Sequence, residues 1–250
     1  MTAETAPDRT VLRISGTDRE RFLTGLVTRD PEAGSMVYSS LLSPQGKFLA
    51  DFFLIAAEDH FLIDVIELFS TGLIQRLAMY RLRADVTIEP TDLVVTRGLG
   101  PAPEGAFADP RHDALGWRAY GATGGPPSID WDAIRVAHCI PESGVELLSN
   151  ETYILEAGFD RLGGVDHRKG CYVGQEVTAR MKHKTTLRKG YVTVAINGQA
   201  DIGTPILAGE RPVGMLFTQA GNQAIAYLRF DRAGGEMTAG DARITWDQAV

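Results

Sequence analysis

From Leu187 onward the chain changes character, and that change constrains its fold more than any other feature. Short apolar runs, Gly190–Ile196, Pro205–Leu207, Pro212–Thr218, Gln223–Leu228 and Ala242–Trp246, alternate with glycines at 198, 203, 209, 214, 221, 234, 235 and 240. Brief strands punctuated this regularly by turn residues predict a small terminal β-barrel or sandwich.

The residues before Leu187 mix both periodicities. Val11–Ser15 reads as a strand, and Thr17-Asp-Arg-Glu20 has the spacing of a capping box ahead of Phe22, Leu23, Leu26 and Val27 on one helical face. Asp30-Pro31 ends that helix. Met36–Leu42 and Lys47–Ala57 read as strands around the turn Ser43-Pro44-Gln45-Gly46, with Phe61–Ile66 as a third. Leu68–Leu82 has helical spacing, Ala84–Ile88 and Leu93–Arg97 read as strands, and residues 98–128 form a Gly- and Pro-rich stretch holding the strand Trp117–Tyr120. Ile129–Cys139 predicts a helix stopped by Pro141 and Gly144, and residues 152–166 are irregular. The chain is therefore α+β with strands dominating. Its 250 residues allow one large or two to three small domains at roughly 150 residues each.

Composition excludes several classes. Hydrophobic residues make up 44% and charged residues 23%, too apolar for a disordered chain. No apolar run reaches the roughly 18–20 residues of a membrane helix; the best, 48–57, is interrupted by Asp51 and bounded by Glu58. Met1 to Arg9 is polar and acidic, so no secretory leader is expected. Cys139 and Cys171 form no Cys-x-x-Cys pair and exclude a disulfide scaffold or an all-cysteine metal site. A reduced, cytoplasmic protein without membrane partners is the expectation. Net charge is −7, yet Arg168, Lys169, Arg180, Lys182, Lys184, Arg188 and Lys189 crowd one stretch against Asp166 and Glu176. Such a strip is either a solvated connector or a wall for an anion. It lacks interleaved aromatics for base stacking, so a small acidic ligand suits it better than nucleic acid.

Within that strip lies Lys169-Gly-Cys-Tyr-Val-Gly-Gln-Glu176. Gly170 and Gly174 free the backbone around Cys171, and Gln175 can open a helix just beyond it. Helix-end amides and neighbouring cations stabilise a thiolate, which points to a reactive Cys171. A small buried hydrophobe is the other reading of the same residue. His167 and His183 lie nearby without a placement that makes either a base, and Cys139 is expected in the core.

The octapeptide resembles the signature of the YgfZ family, folate-binding relatives of the glycine cleavage T-protein (aminomethyltransferase), and Thr178-Ala-Arg180 continues it. Phe22-Leu-Thr-Gly-Leu-Val-Thr-Arg-Asp30, Leu42-Ser-Pro-Gln-Gly-Lys47, Arg135 through Ile140-Pro141, Glu156-Ala-Gly-Phe-Asp160 and Gly163-Gly-Val165 resemble further elements of that family. Together they span most of residues 10–190. The resemblance implies three small domains in a cloverleaf around a central channel. These are a folate-binding domain from 1–45 plus 129–184, an inserted ferredoxin-like domain at 46–128, and a β-barrel at 185–250. It implies tetrahydrofolate as cofactor, polyglutamylated forms included, and iron–sulfur client or assembly proteins as partners. By match, Lys169, Tyr172, Gln175, Glu176 and Arg180 line or support the folate site, and Cys171 matters to activity. The alternative it carries is a folate-dependent aminomethyltransferase with Asp51 as base. The transferase branch has consecutive aspartates where this chain reads Ala50-Asp51, so one carboxylate is missing.

Overall fold

The computed structural model describes residues 2–184 and 186–247. Thr185, expected to open the last domain, and the side chain of Lys184 in the basic strip lie outside the described residues. In chain order the elements begin β1 (Thr2–Thr5), β2 (Arg9–Ser15), α1 (Arg19–Thr24), β3 (Met36–Leu42), β4 (Phe48–Ala56), β5 (His60–Ile66) and α2 (Glu67–Arg81). There follow β6 (Thr87–Pro90), β7 (Val95–Leu99), β8 (Phe107–Ala108), β9 (Trp117–Tyr120), α3 (Trp131–His138) and α4 (Gln175–Lys184). The last strands are β10 (Lys189–Asn197), β11 (Pro205–Ala208), β12 (Arg211–Ala220), β13 (Gln223–Arg229), β14 (Met237–Ala239) and β15 (Ala242–Thr245).

The first sheet has the order β3-β4-β5-β2-β6, antiparallel throughout. β4 is an almost unbroken apolar run because both faces of the sheet are covered. Alternation sends Phe52 and Leu54 towards α1 and α2, where they meet Phe22, Leu23, Leu73 and Leu77. Phe53 and Ile55 point the other way, into a second core with Tyr38, Phe159 and Leu162. The segment 152–166 makes neither helix nor strand, as its sequence predicts, but it is this second core's cover.

The second sheet, β1-β7-β9-β8, packs beside the first. The third lobe is the closed barrel β10-β13-β12-β11-β14-β15. α3 sits against that barrel through Val136, Phe217 and Ile225, and the Thr193 hydroxyl donates to the Val136 carbonyl at 2.7 Å. The α+β class and the terminal barrel agree with the sequence; β14 escaped it because three residues carry too little pattern.

Three expectations need correction. The division at 45/46 falls inside the β3–β4 hairpin, whose strands pair from Met36↔Ile55 to Leu42↔Phe48, so residues 46–128 are not an inserted domain. The capping box does not form. Thr17 Oγ1 donates to Asp85 Oδ2 at 2.7 Å, and the N-cap is Asp18, whose carboxylate instead accepts the Asp85 amide at 2.8 Å. Cys139 is not a core residue: it caps α3 in the left-handed region at φ 49°, half-buried, its thiol pushed up to about 11 by burial.

Candidate functional site: an exposed cysteine on a clamped loop

The loop carrying Cys171 is fastened at five points. Lys169 reaches inward with its side chain only 3% exposed, and its ammonium donates to Thr24 O, Val27 O and Asp30 Oδ1 at 3.0, 2.6 and 2.7 Å. Burial holds that ammonium below its usual range, with the Asp30 carboxylate opposing the shift. Tyr172 is buried in the second core beneath Lys169, and burial pushes its phenol up to about 12. The Val173 amide donates to Gly25 O at 3.2 Å, and its side chain packs on the first core. Gln175 Nε2 donates back to Gly170 O at 3.2 Å, closing the loop beneath residue 171. Gly174, at φ 84°, is pressed on the β3–β4 turn so closely that a Cβ would lie 2.7 Å from Ser43 O.

All this fixing leaves Cys171 itself exposed. It stands four residues before the first turn of α4, whose side chains Glu176 and Arg180 are also exposed. Arg168 extends into solvent at 95% exposure, and Lys182 and His167 both engage Asp160. The structure therefore brings Lys169, Tyr172, Gln175 and Cys171 into one loop. Lys169 has all its donors committed, so it positions that loop and presents no charge to a ligand.

Asp51 lies elsewhere. It is 9% exposed, accepts from the Tyr38 hydroxyl at 2.7 Å through one oxygen and from Ser143 Oγ through the other. Each oxygen of Asp51 thus accepts one hydrogen bond from the surrounding core.

Between the lobes lies a charge network that the sequence reading missed. Asp64, fully buried on β5, accepts from Arg9 Nε at 2.6 Å, from the Tyr120 hydroxyl at 3.0 Å and from Arg118 Nη1 at 3.2 Å. Arg118 continues to Asp109 at 3.3 Å, which Arg111 grips at 2.8 Å. The ring of Phe53 lies beneath Arg118 and Arg111, 4.2 and 4.9 Å from its centroid. Burial alone would raise the carboxyls of Asp64 and Asp109, but the guanidinium groups outweigh it and hold both low. Burial and the neighbouring carboxylates raise the Tyr38 and Tyr120 phenols well above their ordinary range. A signal was present: Asp64 interrupts the apolar run Phe61–Ile66, and a charge on a buried strand must find a partner.

The cavity at this junction is lined by Arg97, Asp109, Arg111, Leu115, Arg118, Trp131, Arg135 and Glu142. Its volume is about 20 Å³, room for about one water. Ligand sites for molecules of folate size take roughly 300–1,000 Å³. The arginines are already paired, Arg97 with Glu4 and Arg135 with Asp132, Glu142 and Glu146. Tetrahydrofolate does not fit this centre, and the residues expected to hold it, Lys169, Tyr172, Gln175, Glu176 and Arg180, do not line it.

Among the described residues no three His, Cys, Asp or Glu side chains gather as a metal site, and no helix is long and apolar enough to cross a membrane.

Comparison with known proteins places this geometry. Residues 188–249 match the family described as CAF17, C-terminal beta-barrel domain. The iron-sulfur cluster assembly factor IBA57, mitochondrial, of Homo sapiens is 30% identical over 92% of this chain and 78% of its own length. The IBA57 homolog of Mycosarcoma maydis is 30% identical over 76% of this chain and 56% of its own, and that of Mus musculus 28% over 76% and 65%. The chain thus spans little more than half to about three quarters of these relatives. The glycine cleavage system aminomethyltransferase T from Bartonella henselae superposes with a TM-score of 0.78 over 97% of this chain and 83% of its own, at 14% identity, which shows a shared fold. These relatives are named mitochondrial, which overturns the cytoplasmic location expected from cysteine usage. With a human relative 30% identical over 92% of this chain and 78% of its own length, the chain belongs to the IBA57 family of iron–sulfur cluster assembly factors.

Proposed function

We propose that this chain is an accessory factor in the assembly or repair of iron–sulfur proteins, and that Cys171 is the group through which it acts. The observation that carries the reading is a contrast within one loop: five fixed points hold it while the thiol stays exposed. Rigid presentation of one reactive group suits transient contact with a partner or its cluster. In ligation the thiol gives its proton to solvent and the sulfur lone pair binds iron. Common clusters use about four thiolates, and Cys139 is half-buried with its thiol raised, so the remaining ligands come from the partner. Kinship with IBA57 factors supports the same role.

Tetrahydrofolate, implied by the family resemblance, enters no step of this role. Binding at the junction of the lobes would require parting Arg118 from Asp64 and Arg111 from Asp109. The aminomethyltransferase alternative loses support with it, since Asp51 is already hydrogen-bonded through both oxygens.

The test is restoration of an iron–sulfur enzyme's activity in cells lacking their own factor. Wild type restores it, and Cys171→Ala does not, while purified Cys171→Ala melts at the wild-type temperature. Full restoration by Cys171→Ala refutes the proposal.

A further inference from the structure

The C-terminal end of α2 exposes apolar surface that the fold does not use. Leu73 and Leu77 carry that helix's packing on the first core, and beyond them Met79 is 69% and Leu82 87% exposed, with Tyr80 at 37%. Leu82 also holds φ 45° outside any glycine, a conformation that costs free energy and persists where the surroundings impose it. Beside these residues runs a groove of about 420 Å³, floored by Phe22 and Leu26 and walled by Tyr80, Arg21 and Arg83.

The charge around the groove runs against the chain's net −7. Arg21 and Arg83, which line the groove opposite the single carboxylate of Asp18, are exposed, and among the described residues neither forms an ion pair. The nearby acids are partly occupied: Asp85 accepts from the Thr17 amide and hydroxyl, and Asp18 accepts from the Asp85 amide, leaving Glu20 exposed. Apolar floor, aromatic wall and unpaired guanidinium groups together complement a segment with an apolar anchor flanked by carboxylates. A bilayer would meet a flat apolar face rather than a concave one.

The groove and the cysteine loop share one element. α1 and its C-terminal turn supply Arg21, Phe22 and Leu26 to the groove, and Thr24 O and Gly25 O to Lys169 and Val173. We propose that this groove docks an acidic, amphipathic segment of the protein that exchanges a cluster at Cys171, an inference that rests on the role proposed above for that residue.

The experiment uses the purified chain and a short fluorescein-labelled peptide with Asp and Glu on one helical face and Leu and Phe on the other. Its twin with Lys for every acid and vesicles of phosphatidylcholine with phosphatidylserine are run alongside. The acidic peptide binds saturably by anisotropy, and salt weakens it. Arg21→Glu with Arg83→Glu weakens binding at least about tenfold. Leu82→Ser weakens it several-fold, and Arg211→Glu with Arg243→Glu on the barrel leaves it unchanged. The docking proposal is overturned by absence of saturable binding, by equal loss in the barrel variant, or by vesicle binding in place of peptide binding. Cys171→Ala retains peptide binding. Full restoration of the iron–sulfur enzyme by Cys171→Ala would sink the cluster role, while the peptide data decide the groove on their own.

Discussion

Replacing Asp64 by Asn removes one charge from the centre of the molecule without removing volume. The new amide still fits among Arg9, Tyr120 and Arg118, so no cavity opens. What changes is the balance of charge. Arg9 loses its counter-ion at 2.6 Å, and Arg118 keeps only Asp109 at 3.3 Å. Breaking a buried pair by removing one partner typically costs about 3–5 kcal/mol. Arg118 retains a second carboxylate, which places Asp64→Asn at the lower end, about 3 kcal/mol. For a chain of this size that corresponds to about 6–12 °C in melting temperature. Urea unfolding followed by circular dichroism reads the free energy, with Asp241→Asn on the exposed surface as control, expected within about 0.5 kcal/mol of wild type. Adding Arg118→Met returns the network to its original net charge, and the double variant should be less destabilised than the two single losses summed, by about 1 kcal/mol or more. If Asp64→Asn costs under about 1 kcal/mol, or the two changes simply add, the network does not hold the lobes together.

Other consequences follow from the same geometry. Asp64 and Asp109 are held below the ordinary carboxylate value of 3.8, so their contribution is fully present above that value and is lost as pH falls through their lower folded values. The urea midpoint should be flat near pH 6 and drop below about pH 4; a flat profile to about pH 3 would contradict this. Iodoacetamide should modify Cys171 well before Cys139, read by peptide mass spectrometry, because one thiol is exposed and the other is half-buried and pushed up to about 11. The reverse order would refute the exposure on which the cluster role depends. Gly174→Ala should cost about 2 kcal/mol or more in urea unfolding, since φ is 84° and the new Cβ would press on Ser43 O and Leu42. Tetrahydrofolate should leave tryptophan fluorescence without a saturable change, Trp131 lining a cavity of about 20 Å³; saturable quenching would show that the centre opens.

Which of these features could be read from sequence depends on how local their causes are. The barrel was legible because strand alternation and turn glycines are properties of neighbouring residues. The helix at Gln175 and the need for glycine at Gly174 were legible for the same reason. The anchoring of Lys169 was not legible because its acceptors, Thr24, Val27 and Asp30, lie far away in the chain. The family resemblance put a domain boundary at 45/46, inside the turn Ser43-Pro44-Gln45-Gly46, where Gly46 stands at φ 73° and an added Cβ would lie 2.7 Å from the α4 residue Val177. Asp64 announced that it needed a partner but not which one; only the second sheet supplies Arg118.

Closure of the C-terminal barrel has a consequence for how this protein can meet others. Its strands run β10-β13-β12-β11-β14-β15 and back to β10 through pairs such as Ile196↔Ile244, so every strand there has a hydrogen-bonded neighbour on each side over part of its length. Closure leaves that lobe without the full-length edge strand that another chain would need to extend it. Recognition through it is then written mainly in side chains, which leaves backbone-mediated assembly to the two open sheets and disfavours fibril-like self-stacking of this quarter of the molecule.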